Sequence, residues 1–361
     1  MMLSIRKSPL AGALCVTAIG LLVPACSSDD GGSDSLTTSG GGVGGPTTMT
    51  DTNEGDTQAS SEEGDTDCPP GGCLDIAGED TMSGPCDGGE CPNKIDLLFV
   101  IDNSGSMGEE QLNLAKNFPL LIQKLQDLED SNGQPIGADV NIMVTTTDVG
   151  HTQCQEPWKP KGAPVTTGCN ARISHFTGLG DNPVSIPEAC TDVCPVDIVP
   201  TDPHIHFNNN GTNVPDSPPI DVNGDGIDDN NIAQALACIG PVGIDGCGYE
   251  APLEAILQAL DANADWNNGD TPFLRDDAVL AIALITDEAD CSVMDFNIFS
   301  SQNENWEIHP DLGAMQSSAI CWNAGVDCVD SNMDGTYESC VSKTDAGMQP
   351  VDARYVATLN A

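Results

Sequence analysis

Residues 95–108 read IDLLFVIDNSGSMG, a strand-like run that is apolar apart from Asp96 and ends in one carboxylate and two hydroxyls before amphipathic sequence begins. Ile95, Leu97, Leu98, Phe99, Val100 and Ile101 lack the alternation of a half-solvated strand, which predicts a strand covered on both faces, as in a parallel sheet. Leu112, Ala115, Phe118, Leu121, Ile122, Leu125 and Leu128 then recur every three or four residues. That spacing predicts a helix with one apolar face, kinked at Pro119. Residues 138–147 supply a second strand, with Val140, Ile142 and Val144 alternating ahead of a threonine run. Strand, helix and strand in this order make a right-handed parallel crossover. Asp102, Ser104 and Ser106 therefore emerge at the carboxyl end of a parallel strand, where open α/β sheets bind their ligands. One carboxylate with two hydroxyls suits a hard divalent cation and leaves coordination positions open.

A further apolar run at 278–286, AVLAIALIT, ends in Asp287. The DxSxS pattern in its strand-to-helix context, with this downstream ITD, resembles the metal-ion-dependent adhesion site of the von Willebrand factor A family. The resemblance implies a Rossmann-like α/β fold, with a central, mainly parallel sheet flanked by helices. It implies Mg²⁺ or Ca²⁺ ligated by the hydroxyls of Ser104 and Ser106, with Asp102 and Asp287 adding carboxylates directly or through water. It also implies a binding module rather than an enzyme, whose partner is an extracellular protein or polysaccharide with an acidic group. The family adds a threonine from the loop before the third helix. Here the segment between Cys238 and Leu253 has no threonine and offers Asp245, Tyr249 and Glu250. Glu250 is the expected replacement, preceding a helix with Pro252 in its first turn and Leu253, Ile256, Leu257 and Leu260 on one face. A third carboxylate would hold the ion more tightly and attract an acidic partner less. Glu288 and Asp290 stand nearby in sequence, either as outer groups of the site or as ordinary loop acids.

Two stretches resemble calcium loops. Asp221, Asn223, Asp225 and Asp229, and again Asp330, Asn332, Asp334 and Glu338, fall at positions 1, 3, 5 and 9, with Gly226 and Gly335 at position 6. The sixth position needs positive φ. Position 12 is Ile232 or Val341, not the glutamate of an EF-hand, so the loops are closer to extracellular DxNxDG repeats. His204 and His206 lack an identifiable third ligand and are expected to be incidental.

Arg6 and Lys7 precede an apolar stretch from Leu10 to Val23, then Val23-Pro24-Ala25-Cys26. Residues 1–25 have the layout of a secretory signal, and Cys26 sits where a bacterial lipoprotein is acylated, despite Pro24 in that box. The expected location is a bacterial cell envelope, as an outer-membrane or surface lipoprotein touching the membrane through its lipid alone; secretion after ordinary cleavage is the alternative. Net charge is −45, and loss of the leader removes two of the eleven basic residues. So acidic a chain repels nucleic acid, which excludes nucleic-acid binding. Sixteen cysteines include Cys15 in the leader and Cys26, leaving fourteen for an exported, disulfide-bonded part. Cys68/Cys73, Cys86/Cys91, Cys190/Cys194, Cys238/Cys247 and Cys328/Cys340 are close pairs suited to local staples, although spacing does not fix connectivity.

Residues 26–67 are Ser, Thr, Gly, Asp and Glu with little to bury, a disordered tether of about 35 Å by random-coil scaling. Residues 68–93 read as a Cys-rich neck, and residues 94–361 as the α/β domain. Within it, residues 148–230 lack apolar periodicity and predict an irregular insertion braced by disulfides and metal beside the site. The 74 residues after Asp287 contain no convincing apolar strand. Either the sheet is smaller than the family's, or the chain stops before the fold does. Two other functions fit less well: a calcium- and disulfide-stabilised structural envelope protein, and a metal-assisted hydrolase. For the latter, Ser106 lacks the glycine two residues earlier that a nucleophile elbow requires, because Ser104 stands there.

Overall fold

Both long apolar runs lie at the centre of one sheet, where a layer of helices on each face covers their side chains. The computed structural model describes residues 2–6, 16–19, 93–130, 132–151, 154, 161–179, 183–300, 308–309, 313–314, 317–329, 337–343, 354–355 and 357–359. Residues 21–80 lie outside the described residues. With them lie the expected tether, most of the neck, Cys26, and the pairs Cys68/Cys73 and Cys86/Cys91.

In chain order the elements are β1 (Met2–Arg6), β2 (Val16–Ile19), β3 (Lys94–Ile101), α1 (Gly108–Gln126), β4 (Asp139–Thr146), α2 (Glu188–Thr191), β5 (Ile205–Asn208), β6 (Gly211–Thr212), α3 (Asn231–Ile239), α4 (Pro252–Ala259), β7 (Val279–Ile285) and α5 (Ser317–Gly325). The fold is α/β, with the sheet order β2-β1-β7-β3-β4-β5-β6. Its three central strands, β7, β3 and β4, are parallel, with Ile101 beside Thr146 on one flank and Ile285 on the other. β5 and β6 continue antiparallel from β4. In the full-length chain, β1 runs antiparallel along β7, and β2 along β1, so the expected leader occupies that edge.

Alternation along the strands divides the core in two. Phe99 and Ile101, with Ile142 and Val144, pack against Ala115, Phe118 and Ile122 of α1 and the apolar α3. Leu98, Val100, Met143 and Ile282 face the other way, against Ala255, Ile256 and Ala259 of α4. α1 runs through Pro119, which is itself buried. At the amino ends of the strands Asp96 is fully buried and accepts from Arg275 N and Nε at 2.7 Å each, while Arg275 Nη1 reaches Asp139 at 2.6 Å. Burial pushes the Asp96 carboxyl up to about 6 against the pull of that guanidinium.

The expected irregular insertion at 148–230 needs correction, because it supplies β5 and β6 to the main sheet as well as a 3-10 turn at Cys169–Phe176 and α2. Neither strand exceeds four residues, too few for a readable period. The local staples also need correction. Cys190 pairs with Cys169, Cys194 with Cys238, and Cys247 with Cys154. Burial of the insertion against α3 brings Cys194 to Cys238, whereas Cys154 and Cys247 meet in a separate apolar cluster around Tyr249 and Phe299. Cys328 does pair with Cys340, and Cys291 pairs with Cys321. After β7 the described residues form α5 and two small hairpins, and none joins the main sheet. No helix among the described residues is long and apolar enough to cross a membrane.

Candidate metal centre

Parallel register carries the site. Because Ile101, Thr146 and Ile285 are level, the next residues, Asp102, Thr147 and Thr286, stand side by side where the three strands end. Asp102 N donates to Ile285 O at 2.9 Å, and Thr147 N to Ile101 O at 3.2 Å, so pairing extends one residue past the strands. Asp102 is fully buried: its Oδ1 accepts from Ser104 N at 2.7 Å, and its Oδ2 from Thr286 Oγ1 at 2.7 Å. Ser104 Oγ lies 3.3 Å from Ser106 Oγ, and Ser106 Oγ donates to Asp287 Oδ1 at 3.2 Å. Asp102, Ser104, Ser106 and Asp287 thus form one hydrogen-bonded patch drawn from two strands. Loss of solvent raises the Asp102 carboxyl above its ordinary range, more than its hydrogen bonds lower it.

Glu250 approaches from the segment that opens α4. Ala251 N donates to Thr147 O at 3.1 Å, and Cys291 N to Glu250 O at 2.7 Å, which fixes the segment between the ends of β4 and β7. The Glu250 side chain is 1% exposed, and its Oε2 has no hydrogen-bond partner. Burial first, then the Asp102 charge, pushes its carboxyl up to about 8, and Glu288 and Asp287 act in the same direction. Burial also raises the Asp290 carboxyl, against bonds from Ser292. Tyr249, one residue before Glu250, stacks on His151 at 4.5 Å, and Phe296 and Phe299 pack around the pair.

Several residues that hold this geometry carried no sequence motif. Gln111, on the first turns of α1, donates from Nε2 to Asp102 O and Gly243 O at 2.8 Å each. Its Oε1 accepts from Val242 N and Gly243 N at 2.9 and 3.1 Å, tying the Asp102–Ser106 loop to the loop after α3. Asn103 is buried with neither amide atom partnered. A Cβ added at Gly246 would meet it at 2.3 Å, so any larger residue there must displace the Asn103 side chain. Asp245, weighed as an alternative to Glu250, pairs instead with His175 Nδ1 at 2.8 Å.

The residues present fit a hard cation. The Asp102 and Asp287 carboxylates share a hydrogen-bonded patch with serine and threonine hydroxyls, the Glu250 carboxyl feels both of their charges, and its buried Oε2 has no partner among protein groups. The donors are not drawn tightly together: Asp102, Glu250 and Asp287 are not among the triads whose donor atoms lie mutually within 4.8 Å. The triads that are, His151 with Cys154 and Cys247, and Asp197 with Cys194 and Cys238, have their sulfurs joined in disulfides rather than available as thiolates.

The first calcium-like loop closes on itself. Asp221 accepts from Gly224 N, Asp225 N and Gly226 N at 2.7, 3.1 and 2.8 Å; Asn223 Oδ1 accepts from Asp225 N; and Asp229 Oδ2 from Val222 N. Gly226 at the sixth position has φ 87°. Burial, then Asp225 and Asp221, raises the Asp229 carboxyl. Of the second loop, Asp330, Asn332 and Asp334 lie outside the described residues, while Glu338 is exposed.

No family model, curated protein or solved structure matches the chain.

Proposed function

We propose that the chain is a von Willebrand factor A-like binding module, tethered to the bacterial surface through Cys26, that captures an acidic partner by way of a divalent cation. The observation carrying this reading is the continuous patch of Asp102, Ser104, Ser106 and Asp287 at the carboxyl ends of adjacent parallel strands. Asp102, Asp287 and Glu250 would hold Mg²⁺ or Ca²⁺ together with the two serine hydroxyls. When bound, the ion supplies a Lewis-acidic position at which a carboxylate from an extracellular protein or polysaccharide replaces water. The protein's own part is to hold the oxygens in place: Gln111 fixes the loop backbone, Thr286 orients Asp102, and the Tyr249–His151 stack supports the Glu250 segment. Ser106 is engaged by a serine and a carboxylate, an arrangement suited to ligation rather than nucleophilic attack. The Asp221–Asp229 loop and its counterpart at residues 330–338 are read as calcium-ordered loops.

Calorimetric titration with Mg²⁺ and with Ca²⁺, followed by retention on carboxymethyl-dextran with and without chelator, tests the reading. At net charge −45 the protein should be repelled by that matrix unless an ion bridges them. Ion-dependent retention, lost in the Ser104→Ala/Ser106→Ala variant, is the expected result. Unchanged ion affinity in that variant would refute the site.

A further inference from the structure

We infer that the Thr147 hydroxyl is a further ligand of the same ion, supplying from the end of β4 the neutral oxygen that the loop before α4 lacks. The inference rests on the metal-site reading above. Thr147 and Thr286 flank Asp102 at one level of the sheet, on the two neighbouring strands. Side chains level with one another in parallel strands share a face, so all three project to the side covered by α4. On one flank the Thr286 hydroxyl donates to Asp102 Oδ2. On the other, Thr147 is 1% exposed and its Oγ1 has no hydrogen-bond partner.

The neighbouring threonines show that the strand end does satisfy such groups. Thr145 Oγ1 donates to Ala163 O at 2.9 Å, and Thr146 Oγ1 accepts from Asp148 N at 3.2 Å. A buried hydroxyl without a partner is destabilising, and valine would fill the same shape without that cost. The backbone of Thr147 is fixed on both sides, its N–H on the residue before Asp102 and its carbonyl on the residue after Glu250. Its hydroxyl therefore lies between the segments bearing two of the proposed carboxylate ligands. Glu250 Oε2, also without a partner, stands on the adjoining segment. A cation shared by Asp102 and Glu250 satisfies both orphaned oxygens at once.

The test uses the full chain as wild type, Thr147→Val and Thr147→Ser, with Mg²⁺ and Mn²⁺ affinities read by calorimetry and melting measured in chelator. Thr147→Val should lose roughly ten- to a hundredfold in ion affinity. Thr147→Ser should stay close to wild type. In chelator the valine variant should melt no lower than wild type, because it loses no internal hydrogen bond. Equal ion affinity in wild type and Thr147→Val would overturn the assignment while leaving the metal site standing. Absence of ion uptake by the wild type would instead overturn the site itself. Melting of Thr147→Val well below wild type in chelator would reveal an internal partner for the hydroxyl and overturn the assignment; if valine prevents folding, Thr147→Ala is read in its place by the same ion-affinity criterion.

Discussion

His204 should make the fold sensitive to acid by a definite amount. The side chain is 2% exposed, its Nδ1 has no hydrogen-bond partner, and its ring packs edge-on against Phe273 at 5.8 Å. Burial lowers its pKa from 6.5 to about 4; Asp202 opposes the shift, while His206 and Arg275 reinforce it. Asp202, His206, Asp270 and Arg275 line the cavity of about 200 Å³ that His204 shares. The unfolded chain takes up the proton near pH 6.5 and the folded chain only near 4. Stability is therefore full above pH 6.5 and lost progressively as pH falls toward 4. At 1.36 kcal/mol for each pKa unit, linkage gives a loss of about 3 kcal/mol between pH 7.5 and pH 4. Asp96, raised by burial to about 6, acts with the opposite sign, since its contribution is lost as pH rises through that value. The raw stability curve mixes the two, whereas the difference between wild type and His204→Leu isolates the histidine. Urea midpoints, converted with a common m value, should show His204→Leu gaining about 3 kcal/mol on wild type over that pH range. A difference that stays constant with pH would refute the assignment of a buried, neutral imidazole.

Gln111→Leu strands four backbone groups that Gln111 now satisfies, two carbonyls and two N–H groups, so it should cost roughly 2–4 kcal/mol in urea unfolding and weaken Mg²⁺ binding through the Asp102 backbone. An unchanged unfolding midpoint would show that the loops are held by other contacts. The Cys154–Cys247 bridge closes a sequence separation of 93, and its replacement by two alanines should lower stability by about 4–5 kcal/mol on the chain-entropy account. Denaturant unfolding of the oxidised protein against the double variant measures it; a loss under about 1 kcal/mol would mean that the unfolded chain is restrained by other means.

The central strands were legible because residues in β3 and β7 are covered on both faces, leaving a run of apolar side chains that few other structures tolerate. The serines and the two aspartates were legible for a related reason: polar oxygens directly after such a run have only the sheet's carboxyl edge to occupy. β5 and β6 were not legible. Each pairs over a few residues, and β5 depends on Asn213, whose Oδ1 accepts from His206 N and whose Nδ2 donates to His204 O. Disulfide partners were illegible for a different reason, since proximity of Cys194 to Cys238 follows from how the insertion folds onto α3 and not from spacing. Thr147 left a weak signal in the sequence, because it stands after β4 where Asp102 stands after β3. The signal becomes useful only once register has placed the two level.

As the proposed third carboxylate ligand, Glu250 should trade partner affinity for ion affinity. With Asp102, Asp287 and Glu250 all ionised around a divalent cation, the site carries one excess negative charge. A partner's carboxylate approaching to roughly 6 Å of Glu250 meets a repulsion of about 3 kcal/mol at an effective dielectric of about 20, less where solvent screens it. Glu250→Gln keeps the shape and removes that charge. The variant should need more Mg²⁺ to fill the site, yet at saturating Mg²⁺ it should bind carboxymethyl-dextran more strongly than wild type. The two effects have opposite signs, which separates them from damage to the fold, since a misfolded variant loses both. Surface plasmon resonance at a series of Mg²⁺ concentrations resolves them: the wild-type curve should begin at lower Mg²⁺ and plateau lower, and the two curves should cross. If Glu250→Gln binds Mg²⁺ as tightly as wild type, Glu250 is not a ligand, and its buried, unpartnered Oε2 then calls for a different cationic or protonic neighbour.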